Sequence, residues 1–313
     1  MNNLLEFKGP RHIALCLAVY DNHLFSGSRD RTIRKWSTNG ECTAIFMGHS
    51  GPVHCLTVWN NHLYSGSSDM KIRQWSKNGE CIGIFRSHHS TVYCLAVLNN
   101  HLYSGSYDET IRKWNDGECI AIFEGHTGAV LCLEVLNNHL YSGSLDRTIR
   151  KWNENGDCIA IFKNHNDAVL CFTVLNNHLY SGSRDNTIRK WNEDNCIAIF
   201  ENHTNTVQCL TVLNNHLYSG SADMTIRQWS TNGECIGIFR AHNSTVYCLG
   251  VLNNYLYSAS FDMTIRKWGL FHYSDYSELS TNKKRDVLIW ELVGRRLGLS
   301  KDIRLLVIRC LIN

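Results

Sequence analysis

From Val92 to Phe123 apolar and polar residues alternate in four short runs, each ended by a turn signal. VYCLAV (92–97) leads into Asn99-Asn100, and HLYSGS (101–106) leads into Asp108. TIRKW (110–114) then leads through Asp116-Gly117 into ECIAIF (118–123). A period of two with β-branched and aromatic enrichment predicts strands, since a helical face would recur at every third and fourth residue. Asn tolerates the positive φ that a two-residue hairpin requires, so the runs read as one four-stranded antiparallel unit.

The unit recurs. Its tryptophans are Trp36, Trp75, Trp114, Trp152, Trp191, Trp229 and Trp268, 38 or 39 residues apart. The variation is one residue in one hairpin, as between Trp75–Cys81 and Trp114–Cys119, where length costs little. A length of 313 residues alone suggests one large or two average domains; a fixed period near 40 replaces that reading with stacked units.

The phrase G-H…V…S-G-S-x-D-x-T-I-R-x-W resembles the WD-repeat β-propeller family, with seven copies across residues 1–268. The resemblance implies an all-β fold, a seven-bladed propeller whose four-stranded sheets bury their faces on one another. The last unit has no outer strand after Trp268. LLEF (4–7) aligns with the other outer strands, Phe7 with Phe46, so an N-terminal strand is expected to close the ring and cover its edge.

The expected organisation is a propeller over 1–268, a linker over 269–285 and a short α-helical tail over 286–313. The tail has helical apolar spacing at Leu288, Leu292 and Val293, and Ser300 is a candidate N-cap. Leu299, Asp302, Ile303, Val307 and Leu311 resemble the first helix of an F-box, with Ser300 in place of its proline. That resemblance implies a substrate adaptor with ubiquitin-ligase subunits as partners. The other reading is a helix that packs on the propeller or on a partner. No unit carries the W-D-x-R signature by which some WD-repeat proteins dock a ligase adaptor.

Composition narrows the function classes. Hydrophobic residues make 43% and charged residues 19%, which describes an ordered chain. The net charge of +3 lies wholly in residues 269–313, so the repeats present no basic patch of the kind that binds nucleic acid. No apolar run is long enough to span a membrane, and MNNLLEFKGPRH is not a signal peptide. A cytoplasmic or nuclear location and no membrane partner are expected. Thirteen of the 14 cysteines recur in two strand settings, one within the first run (Cys94) and one opening the fourth (Cys119). They read as free thiols in buried strand positions in a reducing compartment.

Histidine, serine and aspartate are abundant, and the family resemblance assigns them to structure. It implies a bonded network of His49, Asp69, Ser65 and Trp75 within one unit, with His126, Asp146, Trp152 and His165, Asp185, Trp191 in two others. A residue that an active site needs once has no reason to recur in every unit. Pro10 stands where the first unit would have its histidine. S-G-S lies in a strand, not in a G-x-S-x-G elbow, and the chain has no phosphate loop and no C-x-x-C or H-E-x-x-H zinc motif. No catalysis, cofactor or metal is expected. The residue before each tryptophan, usually apolar in the family, is Lys35, Gln74, Lys113, Lys151, Lys190, Gln228 and Lys267. These side chains are expected to emerge between blades.

Two positions vary most in chemical type. One precedes the turn aspartate: Arg29, Ser68, Tyr107, Leu145, Arg184, Ala222 and Phe261. The other follows the first-strand valine or its equivalent: Leu15, His54, Tyr93, Leu131, Leu170, Gln208 and Tyr247. By resemblance to other propellers both sets ring the channel mouth on one face. Aromatic and aliphatic residues with two arginines are the composition of interface hot spots, so the expected partners are proteins or peptides.

Overall fold

A computed structural model describes residues 2–7, 13–193, 195–240 and 242–269. They form seven four-stranded antiparallel sheets. Blade 3 shows the plan, with strands Val92–Leu98, His101–Ser106, Ile111–Asn115 and Glu118–Phe123 in that order from the inside out. The Asn99-Asn100 hairpin has φ of 47° and 56°, the left-handed pair that asparagine accepts. The third strand starts at Ile111, one residue later than the pattern predicts. Thr110 is used by the turn instead, donating from its backbone N and Oγ1 to Asp108 Oδ1 at 3.1 and 2.6 Å.

The ring is built by contact between successive sheets. Each inner strand packs beside the next, and the inner strand of blade 7 (Val246–Leu252) packs beside that of blade 1 (Ala14–Tyr20). The outer strand of blade 7 is Asn2–Phe7, as the alignment of LLEF predicts, extended by two residues. Phe7 is 1% exposed and meets Trp36 of blade 1 at 5.6 Å between ring centroids. The same phenylalanine–tryptophan contact joins the following blades, as in Phe46–Trp75 at 5.7 Å and Phe85–Trp114 at 5.5 Å. Aromatic burial at each junction holds the blades together.

The glycine of S-G-S has a packing cause. A Cβ on Gly105 would lie 2.5 Å from Cys94 Sγ and 2.6 Å from Val130 Cγ1 of the next blade. The junction of blades 7 and 1 departs from this. Ala259 replaces the glycine, and Ala14 replaces the valine; both sit in one core cluster with Cys248. The methyl gained on one side matches the methyls lost on the other, so density is kept where the ring closes.

The two cysteine series part company. Cys94 and its six equivalents are buried, and burial pushes the Cys16 thiol up to about 12. The outer series is half-buried or, at Cys42 and Cys81, exposed, which corrects the expectation that both series lie in the core. The position, Cys119 in blade 3, shares a strand face with Ala121 and the buried Phe123, but it lies at the far end of the outer strand, where the neighbouring blade covers it only in part. Residues 270–313 lie outside the described residues, and with them the linker, the helical tail and the F-box resemblance.

Candidate functional site

Every blade carries two kinds of recurring position. The first is a closed network. In blade 2, Trp75 Nε1–H donates to Ser65 Oγ at 2.8 Å. Ser65 O–H donates to His49 Nε2 at 2.7 Å, and His49 Nδ1–H donates to Asp69 Oδ2 at 2.8 Å. The order assigns each proton. The carboxylate only accepts, so Nδ1 carries a proton, and burial, which disfavours the charged ring, leaves Nε2 free to accept from the serine. Blade 4 repeats it with His126–Asp146 at 2.6 Å and Trp152 to Ser142 at 2.8 Å. In blade 5 His165 meets Asp185 at 2.8 Å and Trp191 meets Ser181 at 2.8 Å. His88, His203 and His242 make the matching aspartate bonds.

Electrostatics follow from this order. Burial lowers the His49 pKa, and the Asp69 bond only partly opposes it. For Asp69 burial alone would raise the pKa; bonds from His49 and from the backbone N–H groups of Ser50 and Lys71 outweigh it and hold the carboxyl at about 2. Asp, His and Ser here have the connectivity of a hydrolase triad. Yet Ser65, Ser142 and Ser181 are 0% exposed, and each oxygen already accepts an indole N–H. No substrate carbonyl can reach them, so the network builds structure.

In blade 1 the sequence has Pro10 where the other blades have the histidine, and residues 8–12 lie outside the described residues. Among the described residues Arg34 Nη2 meets the corresponding aspartate oxygen, 2.6 Å from Asp30 Oδ2, while Trp36 still donates to Ser26 at 2.9 Å. A guanidinium reaches from the third strand where an imidazole elsewhere reaches from the preceding loop.

The second kind of position forms the mouth. In every inner strand the register slips once, as between Val92 and Cys94, opposite Ser106 and Gly105. The skipped residue is Tyr93, and in the other blades Leu15, His54, Leu131, Leu170, Gln208 and Tyr247. A bulge leaves its extra residue out of the ladder and re-aims its side chain. All seven bulge residues line a single cavity of about 510 Å³. Ile13, Pro52, Arg29 and Ser68 line it too.

The residues before the turn aspartates stand beside this circle. The Tyr107 N–H donates to Thr91 O at 2.9 Å, two residues before Tyr93, and Arg29, Ser68, Leu145, Arg184, Ala222 and Phe261 make the equivalent bond at the same distance. The two sets touch within blades. Tyr93 and Tyr107 lie 6.3 Å apart, Tyr247 and Phe261 6.1 Å, and His54 Nε2 is 2.7 Å from Ser68 Oγ. Burial lowers the His54 pKa to about 4, so its ring is neutral near pH 7. Tyr107 is 54% and Phe261 42% exposed. Arg184 and Leu145 are exposed, and Ala222 is half-buried. Of this second set only Arg29 and Ser68 reach the cavity; the other five form an outer rim.

The bulge is what sequence reading misses, because apolar alternation continues through it. The histidines after the first hairpin, such as His101, belong to the turn, donating from Nδ1–H to Asn99 O at 2.8 Å. Among the described residues no three His, Cys, Asp or Glu side chains gather as a metal site, and no helix is long and apolar enough to cross a membrane.

Comparison with known proteins agrees with this geometry. No curated protein matches the chain. A crystal structure of the WD40 beta propeller domain of Doa1 superposes with a TM-score of 0.79 at 24% identity, covering 86% of this chain and 96% of that one, a likeness of fold. A family model described as IP5P C-F beta-propeller matches residues 175–268. The model described as WD domain, G-beta repeat matches residues 2–37, 40–76, 79–115, 117–153 and 156–192, more than half of the chain, and the protein belongs to the WD40-repeat family.

Proposed function

We propose that this protein is a non-catalytic scaffold that binds peptide or protein partners at the propeller mouth. The observation that carries the reading is the convergence of seven bulge residues, one per blade, on a single cavity. Repetition supplies the site, and variation at those positions supplies its chemistry. Leu15, Leu131 and Leu170 offer aliphatic surface; Tyr93 and Tyr247 offer rings with a polar edge. Neutral His54 and Gln208 offer hydrogen bonds without charge. None of these residues is acidic, and Arg29 borders the cavity, so the ligand is an apolar peptide with one acidic group facing blade 1.

The test is affinity capture with three proteins: the intact chain, a Tyr93→Ala/Leu170→Ala/Tyr247→Ala variant, and a chain ending at Trp268. The mouth reading expects partners to be lost from the triple variant and kept by the shortened chain. A triple variant that keeps every partner overturns it. Ubiquitin-ligase subunits recovered with the intact chain and lost with the tail would favour the adaptor reading of residues 286–313.

A further inference from the structure

The lysine or glutamine before each tryptophan has a place between blades. Lys113 Nζ lies over the Tyr103 ring at 5.9 Å, Lys151 over Tyr141 and Lys190 over Tyr180 at 5.8 Å, and Lys35 over Phe25 at 6.0 Å. These are cation–π distances. Each lysine stands across from an alanine on the outer strand: Ala121, Ala160, Ala198 and Ala44. In blade 2 the same pair is Gln74 and Gly83. Both changes remove atoms from one place, and one removes the charge.

The space opens accordingly. The groove between blades 4 and 5, where Lys151 sits with Glu193, measures about 260 Å³. Its counterpart between blades 2 and 3 measures about 530 Å³. The acid is retained there: Asp116, the equivalent of Glu193, lines the larger groove together with Glu118. No lysine or arginine among the described residues lines it. Asp116 is close enough to Tyr64 to add to the burial that pushes the phenol up to about 12.

A second observation also points to a ligand. Trp59 lines the groove at a position held by Leu or Tyr in the other blades. The residue is 5% exposed, and its buried indole N–H has no partner among the described residues. A buried donor left unmade costs free energy until an acceptor arrives.

We propose that the groove between blades 2 and 3 receives a lysine side chain of a protein partner, in the place that the chain's own lysine fills in blades 1, 3, 4 and 5. The ammonium lies over Tyr64 and against Asp116 and Glu118, and the Trp59 indole turns toward the groove to donate Nε1–H to the partner's backbone carbonyl. This site is separate from the mouth and does not depend on it.

The test follows the indole N–H signal of Trp59 by NMR, assigned with Trp59→Leu, a residue other blades carry there. The intact protein is titrated with the capped tripeptide Gly-Lys-Gly and with its uncharged norleucine counterpart. The lysine peptide is expected to shift the signal saturably and the norleucine peptide to leave it in place. Gln74→Lys/Gly83→Ala installs the pair that blades 1, 3, 4 and 5 already fold with, and should weaken binding by about tenfold or more, the loss of a charged hydrogen-bonding site. No saturable shift, an equal shift by norleucine, or undiminished binding to the double variant would each overturn the proposal.

Discussion

Arg184 and Asp185 are neighbours in the chain and belong to two different regions of the molecule. Asp185 accepts from His165, from Thr187 Oγ1 at 2.6 Å and from the backbone N–H of Asn166 at 3.0 Å. Its counterparts in blades 2 to 7 are aspartates bonded to a histidine in the same way. Among the described residues Arg184 is bonded through its backbone alone at the equivalent place, Ala168 O, and its side chain is exposed. The first position is constrained by what it must satisfy inside a blade. The second is held by main chain that any residue supplies, so its side chain is free to serve recognition. Burial of charge makes one region uniform, and backbone anchoring lets the other vary.

Acidification should break this comparison most severely, because it attacks every network at once. Burial lowers the pKa of His49, His88, His126, His165 and His203 below the ordinary value of 6.5, so the unfolded chain takes up protons first. Stability is then full above about pH 6.5 and falls as pH drops through that value. The aspartates, depressed as Asp69 is to about 2, add a second loss below 3.8. Urea midpoints at a series of pH values should decline along this two-stage course; a midpoint flat from pH 7 to 5 would show the histidines to be unlinked to folding.

A single break comes next. Asp185→Ala strands the His165 and Asn166 donors and should cost about 3–5 kcal/mol in urea unfolding, since each buried donor left unmade costs about 1–3 kcal/mol. Ala14→Val at the closing junction should cost about 1–3 kcal/mol by overpacking against Ala259. Adding Ala259→Gly should recover most of that loss, because it recreates the glycine–valine pair of the other junctions; a double variant no better than the single one would refute the compensation. At the small end, Arg184→Ala should change stability by less than about 0.5 kcal/mol while weakening capture of partners at the mouth.

Much of the scaffold was legible from particular residues. Asn99-Asn100 announces its hairpin because few residue pairs accept two positive φ angles. Phe7 announces ring closure because it aligns with Phe46. The network around Asp69 was legible through family resemblance. The mouth was legible as a set of variable letters and not as a cavity. Tyr93 sits in unbroken alternation, and the bulge that turns it inward arises only when its strand pairs.

Sequence by itself determined the repeat, the blade and its internal bonds, since these join residues within about 25 positions of one another and recur whenever the same letters do. Tertiary structure decided what neighbouring blades do to each other. It converted seven separate bulges into one cavity, placed Ala14 against Ala259, and left Gln74 and Gly83 facing Asp116 across an open groove. The physical reason is range. Turn and strand preferences act along the chain, whereas packing volume and charge complementarity act between surfaces that meet only after the ring has closed.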